Sequence, residues 1–121
     1  MYTAQVEKTI ACAHLLFGYD GPCEALHGHN YRVLVIYRGE ELDQFGMLVD
    51  FTDIKKRFNA VLDILDHTFL NELPQFAGIS PSAENIARFI YSELAKTPFE
   101  RAKLDVVQVW ETPTQMASYS E

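Results

Sequence analysis

The sequence predicts an α+β domain in the order strand, strand, helix, helix, strand, strand (ββααββ): a four-stranded antiparallel sheet carrying two antiparallel helices. Three observations predict it. Apolar residues alternate at a period of two through 2–14, 27–38 and 103–111, with a last extended stretch at 115–119. Apolar residues recur at helical spacing through 52–65 and again from Ala83 to Leu94. At 121 residues and 48% hydrophobic content the chain is expected to hold one core, as a single domain over 1–121.

The first strand places Tyr2, Ala4, Val6, Ile10, Cys12 and His14 on one face, with Lys8 interrupting the series. Residues 15–26 are punctuated by Gly18, Gly21 and Pro22 yet carry Leu15, Leu16, Phe17 and Tyr19, as in a loop folded over a site. The second strand puts His27, His29, Tyr31, Val33, Val35 and Tyr37 on one face. Its other face (Asn30, Arg32, Leu34, Ile36, Arg38) is half apolar, which predicts a sheet covered on both sides, by helices or by another subunit. Residues 47–51 read as a short extended segment. Thr52 is the expected N-cap of the first helix, with Asp53 in its first turn, Ile54, Phe58, Val61, Leu62 and Leu65 buried, and Lys55, Lys56, Arg57 and Asp63 solvated. The second helix opens at Ser80 or Ser82, buries Ala83, Ile86, Ala87, Ile90 and Leu94, and stops before Pro98. In the third strand Leu104, Val106, Gln108 and Trp110 share one face and Asp105, Val107, Val109 and Glu111 the other.

A net charge of −7 argues against generic binding to nucleic acid or to an anionic membrane surface. No apolar run approaches the ~20 residues needed to cross a bilayer, and residues 1–5 show no signal-peptide pattern, so a cytoplasmic protein is expected. In that compartment Cys12 and Cys23 are expected as free thiols rather than a bridge, with Cys12 a small buried hydrophobe.

Chemistry concentrates in Cys23-Glu24-Ala25-Leu26-His27-Gly28-His29. On a strand, His27 and His29 project from the same face and can share a metal, and Gly28 between them lets a ligand approach. The plain alternative is two polar residues entering a strand. The chain has four histidines, and His14 at the end of the first strand completes the three-ligand set of a catalytic zinc with a fourth position open. His67 is left for other work. Asp66-His67 reads either as the polar end of a helix or as a carboxylate orienting a proton-moving imidazole. Glu111 is the wet end of a strand, or a carboxylate able to accept two parallel hydrogen bonds from a heterocycle with an amino group and a ring N–H.

Six motifs occur in one order: the strand-end His14, Cys23-x-x-x-His27-Gly28-His29, Val49-Asp50-Phe51, Leu65-Asp66-His67, Ser80-Pro81-Ser82-Ala83-Glu84-Asn85 and Val109-Trp110-Glu111-Thr112. In these, over nearly its whole length, the chain resembles the 6-pyruvoyltetrahydropterin synthase and 6-carboxytetrahydropterin synthase family. The resemblance implies the tunnelling fold, in which such subunits join their strands into a trimeric barrel and two trimers stack as a homohexamer with sites between subunits. It implies zinc on His14, His27 and His29, Cys23 as thiolate acid/base, Asp66 with His67 as the rest of the proton relay, and Glu111 as the anchor of the pterin ring.

The implied substrate is 7,8-dihydroneopterin triphosphate, which loses triphosphate. The short Cys-x-x-x-His-Gly-His spacing resembles the branch that forms 6-carboxytetrahydropterin for queuosine and other deazapurines. Glu24 complicates this, because Glu-x-x-His-Gly-His resembles the branch that forms the hydroxymethyl pterin of folate synthesis. A pyruvoyl product, or a non-catalytic oligomer that binds zinc or pterin, are the other readings. No basic cluster marks a triphosphate site.

Overall fold

The computed structural model describes residues 1–16 and 27–121, with His27 described by its backbone alone. The expectations for the loop, Cys23 and Glu24 among them, lie outside the described residues. Strand β1 (Tyr2–His14) pairs antiparallel with β2 (His27–Gly39) along the full length of both, from Tyr2 opposite Gly39 to His14 opposite His27. Their inward faces are those the alternation predicted: Ala4, Val6, Ile10, Cys12 and His14 on β1, and Tyr31, Val33, Val35 and Tyr37 on β2, are all buried. Lys8 interrupts the apolar series without leaving that face, because its stem crosses the core edge and its Nζ donates to Asn59 Oδ1 at 3.2 Å.

Among the described residues the sheet has five strands rather than four. Its order is β3-β1-β2-β4-β5, where β3 (Thr68–Phe69) runs parallel to β1, β4 (Lys103–Thr112) pairs with β2, and β5 (Gln115–Tyr119) pairs with β4. A two-residue strand is too short to show any alternation, so β3 leaves no trace in the sequence pattern. Two single-turn 3-10 helices, Leu70–Glu72 and Pro74–Phe76, follow it and bury Leu70 and Phe76. The segment 47–51 joins no sheet; Asp43 instead folds the chain by accepting from the amides of Phe45 and Met47.

Strand β4 differs from its predicted alternation. Ile36 lies opposite Val106 and Tyr37 opposite Leu104, which makes Asp105 the extra residue of a β-bulge. The bulge resets the period, so Leu104 joins Val107 and Val109 in the core instead of sharing a face with Val106, Gln108 and Trp110. A second bulge falls at Glu111, between the pairs Trp110–Met116 and Thr112–Gln115.

Helix α1 (Phe51–Leu65) packs on β1 and buries the five residues predicted. Its N-cap is Asp50, whose carboxylate accepts from the Thr52 amide at 2.8 Å; Thr52 itself is already inside the helix. Arg57 is not simply solvated: it donates to the carbonyls of Thr97 and Pro98 and stacks 3.8 Å from the centre of the Phe99 ring, tying α1 to the chain beyond α2. Helix α2 (Ala83–Ala95), capped by Ser82, packs on β4 and β5 and touches α1. The core between helices and sheet includes Tyr31, Tyr37, Phe58, Leu62, Ile86, Ile90, Val107 and Val109. On the other face of the sheet Leu34 is buried apart from that core, and Arg32 bridges Glu7 (2.9 Å) and the Trp110 ring (4.6 Å).

Candidate active site

The site begins where β1 ends and β2 starts. Pairing sets Ile10 opposite Tyr31, Cys12 opposite His29 and His14 opposite His27, so inward positions of both strands accumulate here. Asn71 holds the end of β1 in place by clasping the Leu15 backbone, accepting from its N–H and donating to its carbonyl, each at 2.8 Å.

His14 is fully buried. Its Nδ1 stands 2.7 Å from the carbonyl oxygen of Pro81, just before α2. A carbonyl only accepts, so Nδ1 carries the proton and Nε2 presents a lone pair. The Tyr31 hydroxyl lies 3.1 Å from Nδ1 and 3.2 Å from Nε2. The rings of His14 and His29 meet edge-on with centres 5.3 Å apart, and Tyr31 packs against both.

Glu111 closes the cluster from β4. As the unpaired residue of its bulge it sits at the end of the sheet, and its carboxylate and the ring nitrogens of His14 and His29 converge to within 4.8 Å of one another. Two imidazoles and a carboxylate are a donor set that suits zinc, whose bonds to such atoms run about 2.0–2.2 Å. These residues therefore fit a metal ion. Glu111 also lines a cavity of about 380 Å³ between the start of α2 (Ala83, Glu84) and the edge strand β5 (Gln115 to Ser118).

Asp66 and His67 lie elsewhere. The Ala11 amide donates to the Asp66 carboxylate at 2.9 Å, and the His67 amide donates to the Ala11 carbonyl at 2.6 Å, so one residue of β1 pins both. His67 Nδ1 lies 3.0 Å from the same carboxylate oxygen, and its backbone has φ of 58°. A left-handed histidine held by this many bonds is strained backbone of the kind that gathers at functional positions. The Ala11 amide, and after it the His67 ring, hold the Asp66 carboxyl below the usual carboxylate range against the opposing pull of burial. The His67 side chain is 82% exposed and shares a groove with Ala11, Cys12, Ala13, Gly28, His29 and Asn30. His29 thus borders both the groove that holds His67 and the cluster with His14 and Glu111.

A family model described as 6-pyruvoyl tetrahydropterin synthase matches residues 3–121. The chain belongs to that family, and it is an enzyme of it. Among its relatives, 6-carboxy-5,6,7,8-tetrahydropterin synthase of Haemophilus influenzae is 33% identical over the whole of both chains. The Bacillus subtilis protein of the same name is 37% identical, covering 98% of this chain and 86% of its own. The structure of Caenorhabditis elegans 6-pyruvoyl tetrahydropterin synthase superposes with a TM-score of 0.87 at 27% identity, covering 99% of this chain and 95% of that one.

In this member of the pterin synthase family Cys12 lies next to the cluster but is no candidate for the thiolate. It is a free, buried cysteine, and burial first, then the Asp66 charge, pushes its thiol up to about 12. Two contributors to the site escaped the sequence reading. Tyr31 had a usable signal, two residues beyond His29 on the same face. Pro81 stood in the motif 80–85 with no role assigned, since its contribution is a backbone carbonyl 67 positions from His14.

Proposed function

We propose that the chain is a zinc-dependent synthase that converts 7,8-dihydroneopterin triphosphate, with loss of triphosphate, to 6-carboxy-5,6,7,8-tetrahydropterin, a step toward queuosine and other deazapurines. The observation that carries this reading is the convergence of His14, His29 and Glu111, the last of which lines a cavity, in a chain with full-length relatives named 6-carboxytetrahydropterin synthases.

His14, His27 and His29 hold the metal in this reading, which supplies Lewis-acid stabilisation of the oxyanion that develops on the substrate side chain. Glu111 faces the cavity beside α2 and accepts paired hydrogen bonds from the amino group and ring N–H of the pterin, fixing the ring so that its side chain reaches the histidines. Cys23 takes and returns protons at the side-chain carbons. Asp66 accepts from His67 Nδ1–H, which leaves Nε2 of that ring as the base, exposed toward solvent or toward a neighbouring subunit. His67, 82% exposed, serves in this reading the cluster of an adjacent copy, in a homo-oligomer assembled as a dimer of trimers.

Identification of the product by mass after incubating the zinc-loaded protein with 7,8-dihydroneopterin triphosphate tests the proposal. A carboxy product is expected. Glu24, adjacent to Cys23, gives a specific reason to look for a second product, the hydroxymethyl pterin. A pyruvoyl product would move the chain to the other named branch, and bound but unreacted pterin would make it a binding oligomer.

A further inference from the structure

We infer that Asn71 is a positioning residue for His14: its side-chain amide stands in for a strand at the edge of β1 and fixes the backbone from which His14 reaches the metal. The inference rests on the reading of His14 as a ligand and adds what holds that ligand's strand in register with Asp66-His67.

The segment 66–71 runs beside the end of β1 and grips it at two residues. At Ala11 the amide donates to the Asp66 carboxylate at 2.9 Å and the carbonyl accepts from the His67 amide at 2.6 Å. Strand β3 then pairs Thr68 with Cys12 and Phe69 with Ala13, and stops one residue short of His14. From Leu70 the chain winds into a single 3-10 turn, so its backbone leaves the ladder. Asn71 takes over from within that turn. Its Oδ1 accepts from the Leu15 N–H and its Nδ2 donates to the Leu15 carbonyl, each at 2.8 Å. A carboxamide offers a planar acceptor and donor, the same groups that a neighbouring strand would offer, and a half-buried backbone needs both.

Those two bonds bear on His14 through the chain. The Leu15 N–H belongs to the planar peptide that joins His14 to Leu15, so holding it fixes the backbone on the C-terminal side of His14. The opposite edge of β1 is held by β2, where His14 lies opposite His27. The Pro81 carbonyl and the Tyr31 hydroxyl orient the His14 ring, whereas Asn71 and β2 place the Cα that carries it. Zinc bonds to nitrogen are about 2.0–2.1 Å long, and a ligand that drifts by roughly 0.5 Å no longer shares the ion well with its partners. Because one segment grips β1 at Ala11 and at Leu15, the metal ligand and the proton-moving pair keep a common register.

Asn71→Leu keeps the branched shape of the side chain and removes both bonds. With the variant wholly folded, the Leu15 amide should exchange with deuterium faster than in the wild type. Competition with a chelating dye should show zinc bound about 10-fold more weakly, and the visible absorption of the cobalt-loaded protein should change with the ligand geometry. Gly39→Ala is the control for stability alone: it crowds the far end of β2 against the Arg101 carbonyl and should leave zinc affinity and the cobalt spectrum as in the wild type. If Asn71→Leu does not fold, Asn71→Ala removes the same two bonds, leaves room for water at the Leu15 backbone, and is read in the same way. Wild-type zinc affinity in whichever variant folds overturns the inference. A Leu15 amide that stays protected, or an equal loss of affinity in Gly39→Ala, overturns it too. Zinc affinity that survives His14→Ala overturns the ligand reading beneath it, whatever the Asn71 variants do.

Discussion

Glu111 stands within reach of two histidines and also lines the cavity beside α2, and one carboxylate cannot serve a metal and a heterocycle equally. Glu111→Gln separates the roles, since it keeps the volume and one acceptor but loses the charge and the second acceptor. If Glu111 holds the pterin, zinc content stays at the wild-type level while kcat/KM falls by about 10²-fold, the loss of two charge-assisted hydrogen bonds. Metal analysis showing zinc lost on this substitution would assign the carboxylate to the ion instead. Asp66 gives a second residue-scale prediction. Its carboxyl is held below the usual range by the Ala11 amide and the His67 ring, so the ionised form is the one the fold favours. The stability this contributes is fully present above the ordinary carboxyl value of about 4 and is lost as pH falls through the lower folded value. Asp66→Asn keeps an acceptor for Ala11 and removes the charge. Urea midpoints of wild type and variant should therefore differ at pH 7 and converge as the pH is taken below about 4; a constant gap across that range would mean the charge is not what stabilises.

At the scale of elements, the end of β2 is set by a close approach. A methyl group built on Gly39 would overlap the Arg101 carbonyl and press on Leu48, and the first of these is backbone that cannot swing aside. Gly39→Ala should cost about 1–3 kcal/mol, as overpacking in a tight site does, and a thermal melt will read it. The long strands and both helices were legible because each repeats its period over many residues, and the face shared by His14 and His29 followed from the strand period and pairing. Other features were not legible, for separate physical reasons. Strand β3 is shorter than one repeat of any pattern. The bulges at Asp105 and Glu111 exist only in the pairing between strands, so no single strand records them. Asp50 and Thr52 are both good caps two residues apart, and the choice between them depends on where the chain enters α1. The hold of Pro81 on His14 is made by a backbone atom, which any residue at that position could supply.

For the whole molecule, exposure separates the candidate residues. His14 is buried and Glu111 lines the cavity beside α2, while His67 is 82% exposed in a groove that it shares with His29. In the proposed oligomer, a ring of copies can set the exposed His67 of one against the site of the next. The proposed oligomer then makes a prediction that a single-chain site does not. His14→Ala lacks a metal ligand but presents an intact His67, and His67→Ala the reverse; each alone should be inactive. Unfolded together in equal amounts and refolded, the two variants should recover about a quarter of wild-type activity, the share of sites that draw their intact parts from two different chains at random. If the catalytic set lies within one chain, every site in the mixture carries a defect and no activity returns. Mixing the folded variants without unfolding them should give little activity at first and more as subunits exchange, so the time course separates assembly from any direct rescue in solution.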